Sequence, residues 1–111
     1  MTTQQAVRSI TPLDAKALLE KDPAIQVVDT APAPDWAGGH VPGAVNLPLL
    51  AIRSRAGELT TEKPVIFVSE DGTQSAGAAG VATTLGFGEV YNIEGGTRAW
   101  ITAGFEVEAL M

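Results

Sequence analysis

The chain has 111 residues, 45% of them hydrophobic, and a formal net charge of −6. That is enough for one globular domain with a modest core, and the sign of the charge repels nucleic acid and anionic membranes. There is no Cys and a single His, which excludes disulfides, thiolate metal sites and cysteine nucleophiles and argues against a histidine metal cluster.

The apolar runs are too short to span a bilayer. Met1-Thr2-Thr3-Gln4-Gln5 shows no charged stretch leading into an apolar core, so no secretory leader is expected and the cytoplasm is the expected address. Arg8-Ser9-Ile10 reads as a short edge strand. Thr11-Pro12-Leu13-Asp14 reads as a helix start, with a hydroxyl cap, a proline at the first helical position and an acid near the positive end. The helix is expected to run to about Lys21, to bury Ala15, Leu18 and Leu19, and to stop at Asp22-Pro23. Ile25 to Asp29 is the next strand, expected to be central.

Thr30 to Gly43 is rich in Pro, Ala and Gly and has no period. It reads as an ordered loop with a helical turn at Asp35-Trp36-Ala37. Trp36 reads as a cover for the core edge, with a stacking platform for a ligand as the alternative. Ala44 to Leu47 is a short strand. Leu49 to about Ala56 is a helix whose Arg53 and Arg55 read as a solvated face, the alternative being an anion site.

Pro64-Val65-Ile66-Phe67-Val68 is an unbroken apolar run, as a strand buried on both faces requires. Ser69 to Gln74 is a polar turn, and the helix after it places Ala78, Val81, Ala82 and Leu85 on one face. A strand turning tightly into a helix aims free backbone N–H groups at one point, where the helix dipole adds partial positive charge. The turn is therefore an anion cradle by construction. Glu89 to Ile93 is the last strand, and Gly95-Gly96 opens a helix from Thr97 to Ala103. Gly86-Phe87 and Gly104-Phe105 are matching helix stops, in which the Gly turns left-handed and the Phe packs back on the last turn. This alternation of strands and helices predicts an α/β domain with a mostly parallel five-stranded sheet and helices on both faces, with the ligand side at the carboxyl ends of the strands.

Val28-Asp29, Asp35-Trp36-Ala37-Gly38-Gly39-His40-Val41-Pro42-Gly43-Ala44-Val45-Asn46-Leu47-Pro48 and Val90-Tyr91-Asn92-Ile93-Glu94-Gly95-Gly96, ending at Ala99-Trp100, resemble the signatures of a single-domain rhodanese, the thiosulfate sulfurtransferase family. The resemblance covers roughly Ile10 to Glu108. It implies a turn opened by a Cys, whose thiolate carries a persulfide, and closed by an Arg that binds the anionic donor. Here those positions hold Ser69 and Gln74. Ala31 stands where the family usually has Arg after the strand-end acid, here Asp29. Gly72 and Ser75 remain. The six-residue spacing from Ser69 to Gln74 matches the sulfurtransferase length.

A serine hydroxyl is a poor nucleophile without a base and cannot hold sulfane sulfur as a thiolate does. Glu70 and Asp71 are the acids at hand, and they oppose an anionic donor. A Ser69–His40–acid triad can be drawn on paper, but the His40-Val41-Pro42-Gly43-Ala44 run resembles a structural corner. Asp29 reads as a cap for loop N–H groups. The expectation is a rhodanese-like domain inactive as a sulfurtransferase, with no catalytic residue, metal or cofactor. It would act as a binding or regulatory module. A protein partner or small ligand would meet Ser69, Glu70, Asp71, Gly72, Thr73, Gln74 and Ser75; nucleic acid and membranes are not expected partners. The alternatives are a Ser69-dependent hydrolase or transferase, and an anion-sensing loop phosphorylated at Ser69, Thr73 or Ser75.

Overall fold

The computed structural model describes residues 6–110; the leader-free reading of Met1 to Gln5 lies outside them. In chain order the elements are β1 (Arg8–Ile10), α1 (Pro12–Lys21), β2 (Gln26–Asp29), α2 (Ala33–Gly38), β3 (Val45–Asn46), α3 (Ile52–Arg55), β4 (Val65–Val68), α4 (Thr73–Thr84), β5 (Val90–Ile93) and α5 (Gly96–Thr102). The five strands form one sheet in the order β1-β5-β4-β2-β3, and every pairing is parallel. The chain therefore has the α/β fold, with a five-stranded parallel sheet, anticipated from its sequence.

Strand alternation sorts the core into two layers. Ile66 and Val68 of β4 pack with Val27, Tyr91, Ile93, Ala15 of α1 and Trp100 of α5. Val65 and Phe67 face the other way, onto Val28, Val90, Ile52 of α3 and Ala78, Ala79 and Ala82 of α4. All four β4 side chains are fully buried, which is why that run carries no polar residue.

Local signals act as read. The Thr11 hydroxyl accepts the Asp14 N–H at 3.1 Å. Gly86 and Gly104 have φ of 97° and 88°, and the Phe87 and Phe105 N–H groups reach back to the Ala82 and Trp100 carbonyls. Phe105 also packs edge-on against Trp100, with ring centroids 5.1 Å apart.

Several boundaries differ from the expectation. α4 begins at Thr73 rather than Ser75, because Gly72 at φ 91° ends the turn earlier. β5 and α5 each start one residue away from the expected position. The turn at 35–37 is a six-residue helix. The single helix expected over 49–56 is instead a 3-10 turn (Leu49–Ala51), the short α3, and a second 3-10 turn (Ala56–Glu58). That segment buries little beyond Ile52, so packing does not hold it in one regular helix. Leu18, Leu19, Val81 and Leu85 pack on the core only partly buried. No described helix is long and apolar enough to cross a membrane.

Candidate functional site

The carboxyl ends of β2 and β4 lie side by side, with Asp29 in register with Val68. This sets Asp29 beside the turn that follows β4. Within the turn, Ser69 is buried and its Oγ sits in the cradle itself. It accepts the Gly72 N–H at 3.2 Å and the Ser75 N–H at 3.1 Å. Its proton goes to Ser75 Oγ at 3.0 Å, and the Ser75 hydroxyl donates to Asn92 Oδ1 at 2.6 Å. The Asn92 amide closes the ring by donating to the Gly72 carbonyl at 3.2 Å. Each donor in this ring has one acceptor. Two of the N–H groups that a strand-to-helix turn offers to an anion, those of Gly72 and Ser75, are taken by the chain's own hydroxyl, and that of Thr73 by Asp71.

Asn92 reaches the ring because strand alternation places it on the α4 side with Val90. The sequence reading left it out; the available signal was a polar residue inside the apolar strand Val90-Tyr91-Asn92-Ile93. The turn is also clamped from α5. The Ser69 and Glu70 carbonyls accept the Thr97 and Arg98 N–H groups at 2.8 and 3.1 Å. This approach requires Gly96, whose φ is 64° and where a Cβ would overlap the Ser69 carbonyl oxygen.

The seven expected ligand-binding residues divide into two sets. Ser69, Gly72 and Ser75 are buried inside the ring, whereas Glu70, Asp71, Thr73 and Gln74 are exposed. Glu70 pairs with Arg98 at 3.1 Å, a cation from α5 that the sequence reading did not connect to the turn. Asp71 accepts the Thr73 N–H at 2.9 Å, and that bond holds its carboxyl below the ordinary range. Among the described residues no carboxylate or imidazole hydrogen-bonds Ser69, so no base stands ready to take its proton. Of the three hydroxyls weighed for phosphorylation, Thr73 is exposed and the two serines are buried.

His40 is held away from the turn. Its Nδ1 lies 2.7 Å from the Trp36 carbonyl, which fixes Nδ1 as the protonated nitrogen. Its ring stacks on Trp36 at 4.4 Å, and Nε2 lies 3.9 Å from the Glu108 carboxylate. Trp36 donates its indole N–H to the Ala44 carbonyl at 2.9 Å. The pair forms a corner that ties the start of β3 to the C-terminal segment. Arg55 is bound to Glu58 at 2.7 Å on the surface, and Arg53 is exposed.

Asp29 is 1% exposed. Its Oδ1 accepts the Ala31 N–H at 2.8 Å, as the capping reading expected. Burial raises its pKa above the ordinary value of 3.8, against the lowering effects of that bond and of His40. Asp29 lines a cleft of about 370 Å³ with Ala31, Pro34, Asp35, Glu70 and Arg98. A second cleft of similar volume lies over Asp71, Thr73 and Gln74. Both are bordered by Asp35 and Glu70, so the mouth of the turn is acidic. Among the described residues no group of acids and histidine is gathered to hold a metal ion.

Comparison with known proteins agrees with this geometry. The chain is 33% identical over 95 residues to the thiosulfate sulfurtransferase GlpE of Pseudomonas fluorescens, covering 86% of this chain and 85% of that protein. It is 31% identical over 97 residues to the uncharacterized protein YqhL of Bacillus subtilis, covering 87% of this chain and 75% of that one. Among solved structures, a rhodanese-like domain protein from Staphylococcus aureus superposes with a TM-score of 0.82 at 26% identity, over 95% of this chain and all of that one. A rhodanese-related protein from Thermoplasma volcanium gives 0.79 at 29% identity, over 91% of this chain and 97% of that one. Residues 11–103 match the rhodanese-like domain family, and the chain belongs to that family as a member without cysteine.

Proposed function

We propose that this rhodanese-like domain does not transfer sulfur and acts as a binding or regulatory module, with the exposed side of the Ser69–Ser75 turn and its two clefts as the contact surface. The carrying observation is the position of Ser69 Oγ. Sulfur transfer needs a thiolate with a free lone pair to attack the donor and then hold the transferred sulfur. Ser69 Oγ accepts two backbone N–H bonds and gives its proton to Ser75, so it has no base and no free direction of attack. The acids at the cleft mouth oppose an anionic donor such as thiosulfate.

The test is thiocyanate formation from thiosulfate and cyanide. The wild-type chain is expected to stay at the uncatalysed rate, whereas Ser69→Cys combined with Gln74→Arg is expected to rise above it, because the backbone cradle is formed. Wild-type turnover that Ser69→Ala abolishes would overturn the proposal. Ester hydrolysis lost in Ser69→Ala would overturn it equally, in favour of a serine enzyme.

A further inference from the structure

We propose that the cleft beside the turn binds a guanidinium group, a ligand class opposite in charge to the anion that a bare strand-to-helix cradle would take. The inference rests on the reading of this site as a binding surface. Two independent observations meet here. The first is the cleft, about 370 Å³, with apolar wall from Ala31, Pro34 and Ile101 and carboxylates from Asp29, Asp35 and Glu70. Its volume suits a side-chain-sized group. The second is Asp29. It is 1% exposed as a residue, and its Oδ1 accepts the Ala31 N–H. Its Oδ2, bonded to no donor of the described residues, is not among the fully enclosed polar atoms and so remains open to a ligand in the cleft. A buried carboxylate without a cationic partner is costly, and the cost is removed by a ligand that brings the missing donors.

His40 favours the Asp29 carboxylate only through space, because its Nδ1 is bonded to the Trp36 carbonyl; it brings no donor to Asp29. Ala31, next along the cleft, carries no charge. Arg98, the one basic residue in the described lining, is turned to Glu70 on the exposed side, at 3.1 Å. A guanidinium fits better than an ammonium because its planar fork offers five donors in fixed directions. It can meet Asp29 on its face toward the sheet and Asp35 or Glu70 at the mouth, while its flat faces lie against Pro34 and Ile101.

The experiment is an amide-shift NMR titration of the ¹⁵N-labelled chain at constant ionic strength. The probes are Nα-acetyl-arginine methylamide, its neutral isostere Nα-acetyl-citrulline methylamide, and methylguanidinium. The arginine derivative is expected to give saturable shifts at Ala31, Gly39, Thr97 and Arg98, and the citrulline derivative none. Methylguanidinium shifting the same amides with equal affinity identifies a free guanidinium compound as sufficient; arginine derivative alone identifies a peptide side chain; both support the site.

Asp29→Asn is expected to weaken binding about tenfold, as loss of one buried charge-assisted partner does. Asp35→Asn alters only an exposed side chain and is expected to weaken it about threefold. Arg98→Gln removes the competing cation and is expected to tighten it. Equal shifts with citrulline, no shift at saturating arginine derivative, or unchanged affinity in both Asp variants would overturn the inference. A chain that neither binds the arginine derivative nor forms thiocyanate would lose this inference alone, whereas wild-type thiocyanate formation would remove the reading beneath it.

Discussion

Removing the Ser69 hydroxyl tests whether it is the hub of the turn or a reactive group. In Ser69→Ala the Gly72 and Ser75 N–H groups lose their buried acceptor, at 3.2 and 3.1 Å in the native chain. A buried polar group left unpaired costs about 1–3 kcal/mol. Ser75 keeps its own acceptor, Asn92, so the loss counts mainly those two donors, about 3 kcal/mol together. The space vacated is that of one hydroxyl, smaller than the ~30 Å³ share of a water in the liquid, so a water does not replace it at no cost. With a urea m-value of about 1–3 kcal/mol/M for a small domain, the unfolding midpoint should fall by roughly 1 M or more at unchanged slope. Ser54→Ala is the control: that hydroxyl is exposed and bonds only the Ala51 carbonyl, so its change should stay within about 0.5 kcal/mol. A Ser69→Ala midpoint indistinguishable from wild type would refute the hub and free Ser69 for another role.

Gly96→Ala, at the start of α5, should put a damaging methyl against the turn. It forces a side chain into a left-handed residue and against the Ser69 and Glu70 carbonyls, at a cost of about 3 kcal/mol or more; a native-like melting temperature would mean that α5 does not clamp the turn. Asp29→Asn should stabilise the free chain near neutral pH. The Asp29 carboxyl has a raised pKa in the fold. Its contribution is therefore fully present below its ordinary value of 3.8 and is lost as pH rises through the raised value. Asn keeps an oxygen for the Ala31 N–H and carries no charge, so its advantage should appear at pH 7 and fade toward pH 3. Thermal melts across that range read the sign, and an advantage independent of pH would contradict the burial argument.

The fold was legible because its signals are local and redundant. The buried β4 run, the Thr11 cap and the Gly-Phe stops each name an element without reference to distant residues. The segment from Leu49 to Glu58 misled because its apolar residues suggest one helix, while the fold gives it only Ile52 to bury. The turn was legible as a place and less so as a chemistry. The absence of Cys at Ser69 is visible in the sequence. That Ser69 Oγ fills the cradle depends on Asn92 from another strand, and the neutralisation of Glu70 depends on Arg98, 28 residues away. The polar Asn92 within an apolar strand marks one member locally, but which residue it or Arg98 meets is set only once the fold brings β5 and α5 against the turn.

The clamp between the turn and α5 has a mechanical consequence. Hydrogen bonds from Thr97 and Arg98 to the Ser69 and Glu70 carbonyls make the floor of the cleft and its α5 wall one rigid piece. The facing wall, formed by Pro34, Asp35 and Gly38 with Gly39 just beyond, is α2 and its end; α2 buries none of its own residues and has no side-chain cap. α2 is anchored at its far end, by Trp36 to the Ala44 carbonyl and by the Leu110 N–H to the Ala37 carbonyl. The two walls of the cleft are therefore held unequally: one by backbone bonds to the turn, the other by a few bonds at Trp36 and Ala37. Trp36 does not line the cleft, yet its bond to the Ala44 carbonyl fixes the helix that carries Pro34 and Asp35, so a substitution there would alter what the cleft admits without touching any residue that lines it.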